Sequence, residues 1–198
     1  MSDAIIWVIM IPLLGSLISL IWSRYASFIA ISSNMLAFAA SNIIVSQVYQ
    51  SGPFIHELGS WQAGLGISLR ADALSSILLV MSMSVISAAT FYASTYFTDA
   101  VKRARFWPLW LMLVVALNAL LLSGDLFNLY VTLELLGLSA VALTALSDNR
   151  AALQAAIRYL SIGLLGSLVF LAGVAFVYTG YGTLDLATLS NIVQASPL

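Results

Sequence analysis

Cysteine is absent from the 198 residues, and histidine occurs once, at His56. The first absence excludes disulfides, thiolate metal sites and iron–sulfur clusters on this chain. One histidine does not make a metal centre alone, so neither a metal nor a cofactor is expected. Charge is scarce too. Asp, Glu, Lys and Arg make up 8% of the residues, where a soluble domain carries about 25%. The formal net charge of −1 argues against a nucleic-acid partner. A Gly-rich phosphate loop, a His or Cys cluster and a Ser/His/Asp set are all missing, so no self-contained enzyme active site is legible.

What is present is apolar length. Hydrophobic residues make up 62% of the chain and mean hydropathy is +1.04. Six helical spans are predicted, at about residues 4–22, 27–48, 73–97, 107–123, 126–146 and 153–178. The fold class is therefore an all-α, multi-pass membrane protein. The N-terminus has Asp3 where a cleaved signal peptide would have basic residues, and reads as a first span that stays. Aromatic residues cluster near the span ends as interfacial anchors: Trp7, Trp22, Tyr25, Tyr49, Trp61, Tyr92, Tyr96, Trp107, Trp110, Tyr178 and Tyr181. The long connection, residues 50–72, is polar and Gly-rich, is broken by Pro53 and alternates in part. It predicts a short β-hairpin on the membrane surface. With the N-terminus outside, Arg24, Lys102, Arg103, Arg105, Arg150 and Arg158 fall on the inner side and only Arg70 outside.

Glu134 is the only acid deep inside a span. A carboxylate at mid-membrane costs on the order of 3 kcal/mol, so it is protonated or paired, and such residues mark ion or proton pathways. The alternative is a neutral Glu bonded to a neighbouring helix. Tyr130 and Gly137 lie one turn away on the same face, one able to hydrogen-bond and one leaving space for water. Arg158 enters the sixth span about 10 Å short of Glu134 along the membrane normal. It either snorkels to the interface or pairs with Glu134 directly or through water, which would lower the carboxyl pKa. Asn34 and Asn118 read as interhelical glue, and the serines of the third span as partners for neighbouring helices. Asp72 and Asp125 read as helix N-caps. Asp148-Asn149-Arg150 reads as a turn, and His56-Glu57 as a solvated loop pair. Gly163, Gly166 and Gly173 suit close helix contact.

The stretch Gly124-Asp125-Leu126-Phe127-Asn128-Leu129-Tyr130-Val131, followed by Glu134, resembles the antiporter-like subunits. That family includes the D-type subunit of Mrp Na+/H+ antiporters and the related proton-translocating subunits of NADH:quinone oxidoreductase and membrane-bound hydrogenases. Ala71-Asp72-Ala73-Leu74-Ser75, Ala155-Ala156-Ile157-Arg158-Tyr159-Leu160 and Tyr178-Thr179-Gly180-Tyr181-Gly182-Thr183-Leu184-Asp185-Leu186-Ala187 resemble it too. The resemblance implies about fourteen helices around two inverted five-helix repeats. Residues 1–106 would be three leading helices with an external loop. Residues 107–198 would be the first three helices of an incomplete repeat, from a truncated or split subunit. Glu134 falls on the family's key glutamate. Arg158 stands where the family usually has lysine, and arginine holds its proton too tightly to carry it. The family's lysine-bearing broken seventh helix lies beyond Leu198.

The function implied is part of a proton-translocating subunit in a cell's inner (plasma) membrane, by cation/proton antiport or redox-linked pumping. Glu134, Arg158, Tyr130 and Gly137 would be its proton-transfer residues. Its partners would be protons, Na+ as the candidate exchanged ion, other membrane subunits and a chain supplying the missing helices. A bicarbonate-uptake membrane subunit shares the same implied fold. A non-transporting helical scaffold or truncated remnant is the competing reading.

Overall fold

The computed structural model describes residues 3–58, 67–97, 99–147 and 149–195. Trp61, the Gly64–Gly66 part of the alternating stretch and Asp148 of the expected turn lie outside them. Six helices are long and apolar enough to cross a membrane: α1 (Ala4–Ile21), α2 (Ala26–Ser51), α3 (Ala73–Tyr96), α4 (Ala100–Leu121), α5 (Leu126–Ala145) and α6 (Arg150–Tyr181). The hairpin forms between α2 and α3, with β1 (Phe54–Leu58) paired antiparallel to β2 (Ile67–Ala71) in the register Phe54↔Ala71 and His56↔Leu69. His56 is half-buried and Glu57 exposed on β1. A seventh helix, α7 (Leu186–Ala195), follows α6. At ten residues it is too short to span a bilayer.

Polar caps set the helix starts. Asp72 accepts the Ser75 amide at 2.9 Å, and the Ser75 hydroxyl accepts the Asp72 amide at 2.9 Å, a reciprocal capping box. Asp99 accepts from the amides of Val101 and Lys102, so α4 begins seven residues before its apolar run. Asn149 caps α6 through the Ala152 amide, and left-handed Gly182 ends it. Both helices therefore outrun the spans drawn from hydropathy, which registers only their apolar middles.

Helices α1 to α4 form the core, in which Ile5, Val8, Ile44, Leu79, Met83 and Val114 are buried. Leu69 and Ala71 of β2 join it, so the hairpin closes one end of the bundle. Gly15 of α1 packs directly on the Ser33 side chain of α2, leaving no room there for a Cβ. Pro12 has no N–H, which leaves the Val8 carbonyl without its helical donor. Asn118 Nδ2 of α4 supplies one at 3.0 Å. Asn34 Nδ2 donates to Thr90 Oγ1 at 2.7 Å, and Trp110 Nε1 donates to the same oxygen at 2.9 Å, tying α2, α3 and α4 together. Both asparagines are thus interhelical ties, since a polar group in a bilayer must find its partner inside the protein.

Two expectations change here. The hydroxyls of Ser76 and Ser84 bond to carbonyls of α3 itself, three and four residues back, because that acceptor is always within reach in a helix. Trp107 is fully buried among Ala26, Ala30, Ala93 and Leu111 and is not an interfacial anchor. The earlier start of α4 places it two turns inside. Trp7, Trp22, Tyr25, Tyr49, Tyr92, Tyr96, Tyr178 and Tyr181 are exposed, as anchors are.

From the core the bundle steps outward. Helix α5 packs on α4, and α6 packs on α5. The alternation of helices brings Arg24, Lys102, Arg103, Arg105 and Arg150 to the end opposite the hairpin, where Arg70 pairs with Asp72 at 3.6 Å.

Candidate functional site

Helix α5 is positioned from its first residue. Asp125 accepts from the Asn128 amide at 2.7 Å and from the Ser68 amide of β2 at 3.2 Å. Gly124 N donates to Ser68 O at 2.8 Å, and Arg70 N donates to Leu122 O at 2.7 Å. Asp125 also bridges Asp185 in antiparallel fashion, through Leu126 N to Leu184 O and Leu186 N to Gly124 O. The residues that read as a simple cap therefore join three segments: the hairpin, the start of α5 and the turn into α7.

That anchor fixes which faces of α5 point where. Asn128, Thr132 and Ser139 are buried against the bundle. At about 100° per residue, Tyr130, Glu134, Gly137 and Val141 fall on the opposite face. There they line a cavity of ≈ 280 Å³ against Leu160, Gly163, Gly166, Ser167 and Phe170 of α6. Nothing lies within 4 Å of where a Cβ would stand on Gly137, Gly163 or Gly166. These glycines clear space and do not seat a close helix contact among the described residues. Gly173 is equally open.

Glu134 sits at the ninth of the 20 residues of α5 and is half-buried. The glycines of α6 put no side chain against it, and no other described helix covers that face. Among the described residues it has no hydrogen-bond or ion-pair partner. Tyr130 stacks on Phe170, with ring centroids 6.4 Å apart and planes 12° from parallel, closing the end of the cavity nearer the hairpin. The Ser167 hydroxyl bonds its own helix at Leu164 O.

Arg158 does not join this group. It is exposed and does not line the cavity. Helical geometry turns it about 160° from Leu160, away from α5. The Tyr130–Phe170 stack puts antiparallel α5 and α6 in a register that levels Glu134 with Gly166. Arg158 is then about 12 Å nearer the basic end than Glu134. Direct contact within this chain is ruled out by face as well as by height. Sequence reading also missed Ser167 and Phe170. Their signal was available in the stripe Gly163, Ser167, Phe170, at i, i+4 and i+7. No three His, Asp or Glu side chains gather as a metal site among the described residues.

A family model described as "NADH:quinone oxidoreductase/Mrp antiporter, TM" matches residues 123–197, which begin at the Gly124–Asp125 junction and take in the whole cavity. Over these residues the chain matches the antiporter-like subunit family. It is 28% identical over 193 residues to the D-type Na(+)/H(+) antiporter subunit of Alkalihalophilus pseudofirmus, covering 96% of this chain and 39% of that relative. Among solved structures it resembles a chain of the Mrp complex from Dietzia sp. DQ12-45-1b, with a TM-score of 0.85, 26% identity and coverage of 96% and 37% of the two chains. It also resembles a chain of the membrane-bound sulfane sulfur reductase, an archaeal respiratory membrane complex, with a TM-score of 0.82, 28% identity and coverage of 95% and 39%. The chain thus spans about two fifths of the length of the antiporter-like subunits it matches. Both structural relatives come from membrane complexes.

Proposed function

We propose that this chain forms part of a proton-translocating, antiporter-like membrane subunit, in which Glu134 takes up and releases the proton. The observation that carries this reading is an acid at mid-span, without a protein partner among the described residues, facing a glycine-cleared cavity. A neutral Glu serving only as interhelical glue would be expected to hold a bond to a neighbouring helix, and Glu134 holds none among the described residues. The glycines leave room beside the carboxyl for water, through which a proton can arrive and leave. Tyr130 closes one end of the space, and Gly137 keeps it open.

Arg158 acts in this reading as a fixed positive charge. It presents that charge to helices packed on the outer face of α6, and from there biases the proton on Glu134. The coupling is either to counter-movement of a cation, Na+ being the candidate, or to a redox reaction on partner subunits. Those partners supply the helices that cover α6. The basic end faces the cytoplasm and the N-terminus the outside of the plasma membrane, as the bias in Lys and Arg directs.

The test is proton flux in vesicles holding the complete assembly. Glu134→Gln keeps shape and hydrogen bonding but exchanges no proton. It should assemble as the parent does and lose coupled flux, while Glu134→Asp keeps part of it. Parental flux from an assembled Gln variant would falsify the carrier role.

A further inference from the structure

The basic end of the bundle carries a second feature, unconnected with Glu134. A groove of ≈ 870 Å³ opens where the start of α4 meets the end of α5. Phe106, Trp110, Leu143 and Leu146 give it an apolar wall, and Lys102 and Asp99 stand at its rim. Phe106 and Trp110 are stacked, with centroids 5.7 Å apart and planes 17° from parallel. A smaller groove of ≈ 430 Å³ lies on the other side of α4, where Arg105 lines it and Leu146 is shared.

Charge decides the occupant. Lys102, Arg103 and Arg105 fall in the first two turns of α4. Cations there oppose the helix dipole, whose positive end is at the N-terminus. Among the described residues neither Lys102 nor Arg105 pairs with a carboxylate. Among the described residues the acid lining the groove is Asp99, and its Oδ1 is turned to the amides of Val101 and Lys102. The cations without a carboxylate partner call for an external anion, beside a wall that calls for hydrocarbon. Basic pockets between transmembrane helices on the cytoplasmic side take anionic lipid headgroups on these terms.

We propose that this groove binds an anionic phospholipid, its phosphate at Lys102 and an acyl chain along Phe106, Trp110, Leu143 and Leu146. The site is specific for charge at the headgroup and tolerant of the tail.

Trp110 reports on occupancy. The protein is purified in its membrane assembly and reconstituted in phosphatidylcholine vesicles. It is then titrated with brominated phosphatidylglycerol or brominated phosphatidylcholine while tryptophan fluorescence is read. Phosphatidylglycerol should quench more at equal mole fraction, and the excess should vanish in Trp110→Phe. Lys102→Gln should lower the preference for phosphatidylglycerol roughly fivefold, the equivalent of one interfacial charge, and adding Arg105→Gln should lower it further. Asp99→Asn keeps a capping side chain, removes the rim's negative charge and should raise the preference. Arg70→Gln, at the other end, should change nothing. Equal quenching by the two lipids would overturn the proposal, as would a preference that survives loss of Lys102 and Arg105. So would protection of Trp110 from both lipids, which would place a protein segment in the groove.

Discussion

Glu134 and Arg158 stand on helices that pack against each other, yet they face apart. Glu134 looks into the α5–α6 cavity, while Arg158 is exposed on the outer side of α6, about 12 Å nearer the basic end. Whatever Arg158 does for the carboxyl, it does across a helix or through a neighbour. That separates two kinds of substitution that a direct ion pair would make equivalent.

Arg158→Lys keeps the charge in place and should retain most coupled flux. Arg158→Ala should lower flux on the order of tenfold, equivalent to about 1.4 kcal/mol in the barrier. Assembly needs to be followed in parallel by co-purification, because an outward-facing cation also suits a contact with another subunit. Normal flux with normal assembly in the Ala variant would reduce Arg158 to an interfacial anchor.

The space beside Glu134 can be filled without touching the acid. Gly163→Leu meets nothing within 4 Å of its Cβ and improves helix propensity, so the protein should remain folded. The Leu side chain would occupy the cavity and exclude water from the carboxyl, and flux should fall on the order of tenfold, or about 1.4 kcal/mol. Gly173→Leu is equally unhindered but does not line the cavity. It should leave flux unchanged, which makes it the control for adding bulk to α6.

The junction at Gly124 is tight. A Cβ there would lie 2.5 Å from Ser68 Oγ and 3.0 Å from Ser68 O. The hydroxyl can turn aside but the carbonyl cannot, because it accepts from Gly124 N. Gly124→Ala should cost about 1–3 kcal/mol, as overpacking does. The measurement is the temperature at which the solubilised protein loses its structure. Removing the hydroxyl in Gly124→Ala with Ser68→Gly should recover part of the loss. No loss in the single variant would mean that the hairpin is not clamped to the start of α5.

The six spans were legible because each is a run of apolar residues whose length matches a bilayer. The hairpin was legible because Pro53 and the glycines break the chain between α2 and α3. Helix ends were less legible: α4 and α6 begin on capped, polar turns at Asp99 and Asn149 that hydropathy does not register. Helix α7 was missed because ten residues give no span, although Asp185 followed by Leu186, Leu189 and Val193 carried a cap and a helical stripe. At the site, Tyr130, Glu134 and Gly137 followed from one helix's periodicity. Arg158 did not, since facing depends on how two helices are rotated against each other. That rotation is set here by the Tyr130–Phe170 stack and the Asp125 junction, both contacts between segments far apart in the chain.

The central claim is that the Glu134 carboxyl changes protonation during turnover, and infrared difference spectroscopy reads that change directly. The complete assembly is driven between resting and energised states in vesicles, and the protonated-carboxyl stretching band is followed in the parent and in Glu134→Gln. A carboxyl band that appears and disappears with the driving force in the parent, and is absent from the assembled Gln variant, is the predicted result. The same band persisting in the assembled Gln variant, or no carboxyl change in a parent that is transporting protons, would contradict it.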